Sequence, residues 1–181
     1  MINKTTKPIL FNTEDVKAIL EGKKTQTSIV ANLANVDCPN CEDYLVPYGW
    51  STDMEVGYQC INEDCMYITS IKQESNYKIG DILYVEETFQ TCECDICEVC
   101  NVLDGIIYKA DYNSKGEHPD LYSCLEDEVY WESPVHMPKK YARIFLKVTK
   151  IRFEKSKNIN NEDCIKDGFV FVYEFERIKG K

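Results

Sequence analysis

Eight of the chain's ten cysteines fall into two groups whose spacing suits a metal ion. Cys38-Pro39-Asn40-Cys41 and Cys60-Ile61-Asn62-Glu63-Asp64-Cys65 read C-x2-C and C-x4-C, with eighteen residues between them. Two thiolates on one tight turn present both sulfurs to a single tetrahedral ion, and two such turns complete a closed site with no open position for catalysis. The spacing therefore predicts structural zinc held by Cys38, Cys41, Cys60 and Cys65. The competing reading, small core hydrophobes, does not explain paired spacing in a segment without periodicity. Cys92, Cys94, Cys97 and Cys100 are denser, C-x-C-x2-C-x2-C within nine residues. They predict a second zinc or a share in the first, against iron–sulfur ligation or redox-active thiols. The expected cofactor is one or two structural zinc ions. Cys124 and Cys164 stand alone and are assigned no role.

Ten thiols read as metal ligands only in a reducing compartment. The N-terminal residues hold no apolar stretch of signal-peptide length, so the expected location is the cytoplasm. No run approaches the roughly 20 apolar residues of a membrane span, and no membrane association is expected. A formal net charge of −10 opposes broad DNA binding, because such affinity comes from cations displacing counterions from phosphates. The best local basic segment is 137–143, followed by Lys147, Lys150 and Arg152.

The 181 residues suit one domain with insertions. Asn12 or Thr13 caps a short helix whose first turn carries Glu14 and Asp15, and Gly22 ends it. Residues 37–66 show neither helical nor strand periodicity and read as an insertion carrying the knuckle; residues 91–101 form a second cysteine-rich loop. Strands are expected over 79–89 after a turn at Gly80-Asp81, over 106–110, over 142–153 from its alternation, and over 169–175. The acidic stretch 117–132 reads as a solvated loop, and Asn160 to Asp163 cap a second short helix ending at Gly168. Strands around a core with two short helices imply an α+β fold, a small mixed β-barrel.

Several fragments, in order, resemble the ASCH family of PUA-like β-barrels, particularly the branch common in bacteriophages and prophages. They are Pro8 to Glu14, the Gly-Lys-Lys-Thr-Gln-Thr motif at Gly22 to Thr27, Gly80 to Thr88, Tyr108 to Asp111, Trp131, Ser133 to Pro138 and Ala142-Arg143-Ile144. The resemblance runs nearly end to end and implies a single ASCH/PUA-like barrel over 1–181 with short flanking helices, the cysteine segments lying between barrel elements. Two departures stand out: Ser28-Ile29-Val30 replace the arginines that relatives carry after this motif, and the step from Gly168 to Phe169 is short.

Some ASCH proteins remove the acetyl group from acetylated cytidine with a lysine, a threonine and a glutamate. The resemblance carries these roles onto Lys24, Thr27 and, one methylene shorter than glutamate, Asp167, with Glu162 and Asp163 nearby. A lysine of lowered pKa can take the proton of a threonine hydroxyl and so activate it. Thr25 joins the ligand-binding set, with His136 between prolines and Arg143 at the start of a strand. Their plainer alternatives are a solvated turn for the Lys24–Thr27 motif, a structural hydrogen bond for His136 and a surface charge for Arg143. Tyr84 and Trp131 are candidates to stack on a base, or core aromatics. The expected activity is binding of a nucleoside, nucleotide or specific RNA, with amidohydrolase chemistry at Lys24 and Thr27. The alternative is a non-catalytic RNA-binding or protein-interaction module, including a phage protein that antagonises host defence by binding a host protein.

Overall fold

The computed structural model describes residues 6–33, 36–51, 53–91, 105–112, 131–156 and 168–178. They divide into two compact units, the first formed by 1–25, 80–148 and 175–181 and the second by 26–79 and 149–174.

In the first unit, β1 (Thr6–Leu10) leads through Asn12 into α1 (Thr13–Leu20). The Asn12 side chain accepts a hydrogen bond from the Asp15 amide at 2.8 Å, and Glu14 and Asp15 place negative charge at the positive end of the helix. Val16 and Ile19, three apart, are the residues α1 buries. The helix ends where Gly22 turns to φ 73°, a left-handed conformation that suits glycine. β1 pairs in parallel with β7 (Ile82–Glu86), from Thr6 opposite Ile82 to Leu10 opposite Glu86. On its other side β7 runs antiparallel to the start of β10 (Phe145–Ser156), with Phe145 opposite Tyr84. Period-two alternation sends Leu83 and Val85 inward from β7 and Leu146 and Val148 from β10, all fully buried. A short hairpin of β8 (Phe89–Thr91) and β9 (Ile106–Tyr108) is followed by 3-10 turns at Lys109–Asp111, Pro134–His136 and Lys139–Tyr141.

In the second unit, β2 (Gln26–Val30) pairs antiparallel with β11 (Gly168–Arg177), Thr27 standing opposite Tyr173. Phe153 of β10 stacks on Phe169 of β11 with ring centroids 5.3 Å apart. Within the first unit the hydrogen-bonded strand order is β1-β7-β10, and within the second β11 pairs with β2.

Residues 37–66 depart from expectation. Instead of an aperiodic excursion they supply β3 (Val36–Asp37), β4 (Tyr44–Trp50) and β5 (Glu55–Cys60), which with β6 (Ile68–Lys72) form an antiparallel sheet in the order β3-β4-β5-β6. Alternation is present, with Val56 and Tyr58 buried between exposed Glu55 and Gln59. It is hidden in the sequence because Pro47, Gly49 and Gly57 interrupt the apolar pattern and because the register shifts between Pro47 and Gly49. Strands dominate both units, as an α+β reading with few helices requires. Residues 160–167 of the expected second helix, 92–101 of the expected cysteine-rich loop and most of the acidic stretch 117–132 lie outside the described residues; Gly168 opens β11 and Thr91 ends β8.

Candidate functional site

The four cysteines 38, 41, 60 and 65 converge at one end of the β3–β6 sheet. Cys38 follows β3, Cys60 closes β5 and Cys65 comes three residues before β6. The first turn is tied by the Glu42 amide on the Cys38 carbonyl at 3.1 Å, the second by the Cys65 amide on the Asn62 carbonyl at 3.0 Å. The residue after the second cysteine of each pair is left-handed, Glu42 at φ 62° and Met66 at φ 49°. Both pairs thus turn away from the sulfurs by the same backbone device, without the glycine that would adopt it at no steric cost. The Asp43 carboxylate accepts from the Asn62 side-chain amide at 3.0 Å and links the two turns.

All four Sγ atoms lie within 4.8 Å of one another, with Cys38–Cys65 at 3.5 Å and Cys41–Cys60 at 3.4 Å. A tetrahedron of metal–sulfur bonds near 2.3 Å has sulfur–sulfur edges of about 3.8 Å, inside that range. A disulfide needs about 2.05 Å, so all four are free thiols. Burial raises the Cys38 thiol, but the amides of Asn40 and Cys41 and the neighbouring thiols outweigh it and bring it down to about 7. The Asp43 amide lowers Cys41, yet burial and the three surrounding thiols push it up to about 12. Four sulfurs this close set any negative charges they carry against one another. A divalent cation removes that conflict. These four residues can hold one metal ion.

The first unit contains a second organised cluster. Arg143 lies two residues before β10 and donates from Nε and Nη2 to the two Glu87 carboxylate oxygens at 2.9 and 3.0 Å, and from Nη1 to Asp111 at 2.7 Å. Its guanidinium carbon lies 3.8 Å from the Tyr108 ring centroid, and the Tyr108 hydroxyl donates to the Tyr141 carbonyl at 2.6 Å. Glu87 is 1% exposed; burial pushes its carboxyl upward, and Arg143 opposes that rise. Arg143 gains affinity for its proton from Glu87 and Asp111 despite its own burial. Burial, only partly opposed by Arg143, pushes Tyr108 up to about 12. Arg143 is therefore no simple surface charge: two carboxylates already occupy its donors. Sequence reasoning gave Glu87 and Asp111 no role. The available signal for Glu87 was the Glu86-Glu87 pair between the apolar residues Ile82 to Val85 and Phe89, where a buried unpaired carboxylate is costly.

The Lys24 ammonium pairs with Asp15 at 3.0 Å and lies 5.8 Å from the Phe11 ring centroid. The Thr25 carbonyl accepts from the Phe175 amide at 2.9 Å, its side chain being exposed. Thr27 is half-buried in β2. His136 is exposed on its 3-10 turn, whose backbone is closed by the His136 amide on the Ser133 carbonyl. Asp167, Cys92, Cys94, Cys97 and Cys100 lie outside the described residues. The basic segment carries a feature the sequence only hinted at, with Lys139 5.9 Å from the Tyr84 ring centroid and Lys140 4.6 Å from Tyr141; outside it, Lys109 lies 5.9 Å from Trp131. The described helices include none long and apolar enough to cross a membrane. Comparisons with family models, curated proteins and solved structures give no match.

Proposed function

We propose that the chain is a zinc-containing ASCH-type protein with a PUA-like barrel that binds a nucleoside, a nucleotide or a specific RNA segment through its first unit. The supporting observation is the set of lysine–aromatic pairs Lys139–Tyr84, Lys140–Tyr141 and Lys109–Trp131. All three lysines are exposed and all three rings are part-exposed. Such pairs offer what an unpaired base and its phosphate need, a π face for stacking and an ammonium for the phosphate. Base stacking contributes roughly 1–3 kcal/mol per base, enough for selective binding by a chain whose overall charge repels polyanions.

Zinc suits the tetrathiolate because four soft ligands in a closed set leave no position for substrate. In this reading the metal is structural, and any chemistry belongs to Lys24, Thr27 and Asp167, with Thr25, His136 and Arg143 near the ligand. For Lys24 the Asp15 pair suggests a positioned ammonium that donates to a ligand carbonyl or phosphate; acting as base requires it to leave Asp15.

Oligouridylate titration and hydrolysis of acetylated cytidine test the reading together. Lys139→Glu with Lys140→Glu is expected to weaken oligouridylate binding at least tenfold and to reduce the salt slope by about 1.4, at roughly 0.7 for each phosphate no longer neutralised. Unchanged binding and slope overturn the assignment of the face. Release of cytidine that disappears in Lys24→Ala supports the amidohydrolase; release that survives removes Lys24 from the mechanism.

A further inference from the structure

The β3–β6 sheet has one buried and one open face. Leu45, Val56 and Tyr58 point inward. Val46, Gln59 and Ile68 share one register row, and Tyr44 and Ile61 meet through the Ile61 amide on the Tyr44 carbonyl at 3.3 Å. By alternation Tyr44, Val46, Gln59 and Ile68 occupy the outer face, and Ile61 joins the end of that sheet through its backbone bond to Tyr44. There Tyr44 is 58% exposed, Ile61 39% and Ile68 60%, and Met66, two residues before Ile68 in the chain, is 83% exposed. Large apolar side chains clustered on one outer face, rimmed by polar residues, mark an interaction surface.

The rim beside this apolar centre is acidic, and Lys72 of β6, exposed and opposite Glu55, lies at the far end of the sheet. Between residues 37 and 66 there are seven acids (Asp37, Glu42, Asp43, Asp53, Glu55, Glu63 and Asp64) and no lysine or arginine. Four thiolates around one divalent ion leave roughly two further negative charges; this last addition rests on the zinc reading, whereas the seven acids do not. Phosphates are repelled by such a rim, which disfavours RNA. A second copy is disfavoured as well, since the chain carries −10.

From this we infer that the outer face of the β3–β6 sheet docks a basic amphipathic protein segment: two or three large apolar side chains covering Tyr44, Ile61, Met66 and Ile68, flanked by lysines or arginines that meet Glu42, Glu63 and Asp64. An apolar centre with a charged rim is the ordinary anatomy of a protein interface, the centre supplying most of the affinity and the rim the rate of encounter and the choice of partner.

The test uses the full metal-loaded chain and a fluorescent synthetic peptide of alternating lysine and leucine, with a glutamate–leucine peptide and oligouridylate as comparison ligands. Anisotropy is expected to show binding of the lysine peptide alone at this face. Affinity falls about tenfold in Ile61→Ser/Ile68→Ser, where the apolar centre is removed, and about tenfold in Glu63→Lys/Asp64→Lys, where the rim changes sign. Both pairs are exposed or part-exposed, and the rim variant leaves the apolar centre intact, so it tests the idea even where the apolar variant folds poorly. The inference is overturned by no binding of the lysine peptide, by equal binding of the glutamate peptide, by peptide affinity unchanged in both variants, or by oligouridylate binding that Ile61→Ser/Ile68→Ser abolishes. A sedimenting dimer dispersed by that variant overturns it too, assigning the face to a second copy. Lys139→Glu/Lys140→Glu leaves peptide affinity unchanged, so failure here is separable from failure of the nucleotide-binding reading.

Discussion

The two units bring charged or ionisable side chains together by opposite means. In the second, four thiols meet at the end of a small sheet, close enough together to share one cation. In the first, Arg143 is itself the cation, held between Glu87 and Asp111 and stacked on Tyr108, which packs against the buried cluster of Phe89, Ile106 and Met137. The contrast is between a centre completed from outside and one completed from within. A small sheet with Leu45, Val56 and Tyr58 as its buried hydrophobic strand residues has limited apolar area with which to offset its chain entropy, and an ion held by the four cysteines would add to it. A larger core can accommodate a buried carboxylate as long as it brings its own partner.

The largest effect that sharpens this comparison is expected from Cys60→Ser or from a strong chelator. Metal content should fall by one equivalent per chain, and amide protons of β4 and β5 should lose protection from exchange while those of β7 keep theirs. Structural zinc is worth about 10–16 kcal/mol of apparent binding energy in isolated knuckle peptides, so the loss is expected to exceed any other single change. Equal loss of protection in both units would erase the distinction drawn here.

Next comes Arg143→Ala, which strands Glu87 in the core. A cost of about 3 kcal/mol in chemical denaturation is expected, the lower end for removing one partner of a buried pair, because Arg143 keeps 28% of its side chain exposed. Adding Glu87→Gln should recover part of it, since the neutral amide no longer needs the guanidinium.

Tyr108 gives a smaller, pH-dependent effect. Its folded pKa of about 12 lies above the usual value near 10, so the folded state holds the phenolic proton more tightly. The unfolded chain releases it first, and stability falls as pH rises from about 10 to 12. Tyr108→Phe should lack this alkaline decline and cost about 1 kcal/mol at neutral pH from the missing bond to the Tyr141 carbonyl. Absorbance of ionised tyrosine and denaturation at several pH values read both.

The smallest effect is at the knuckle turn. Glu42→Gly should be more stable than Glu42→Ala by about 0.5–1 kcal/mol, the left-handed strain relieved less the added freedom of glycine in the unfolded chain. Comparing glycine with alanine cancels the effect of removing the charge.

Legibility in the sequence followed locality. The cap at Asn12, the stop at Gly22, the strand after Gly80-Asp81 and the cysteine pairing at 38, 41, 60 and 65 are all determined within a few residues, and all are present. The β4–β5 sheet was missed because its alternation passes through proline, glycine and a register shift. Glu87 and Asp111 were missed because a buried ion pair joins residues far apart in the chain: Arg143 lies 56 positions from one and 32 from the other. Periodicity reports which face is apolar, and it is silent about which distant charge will meet which.

The parallel pairing of β1 with β7 also sets an order in time. Ile82 stands 76 positions after Thr6, which at 5–20 residues per second takes roughly 4–15 s of synthesis. Within that interval the stretch 36–72 has emerged complete, with its four strands antiparallel neighbours in sequence order and its four thiols in hand. The β3–β6 sheet can close, and its four thiols can meet a metal ion, while β1 is still waiting on the ribosome for its neighbour.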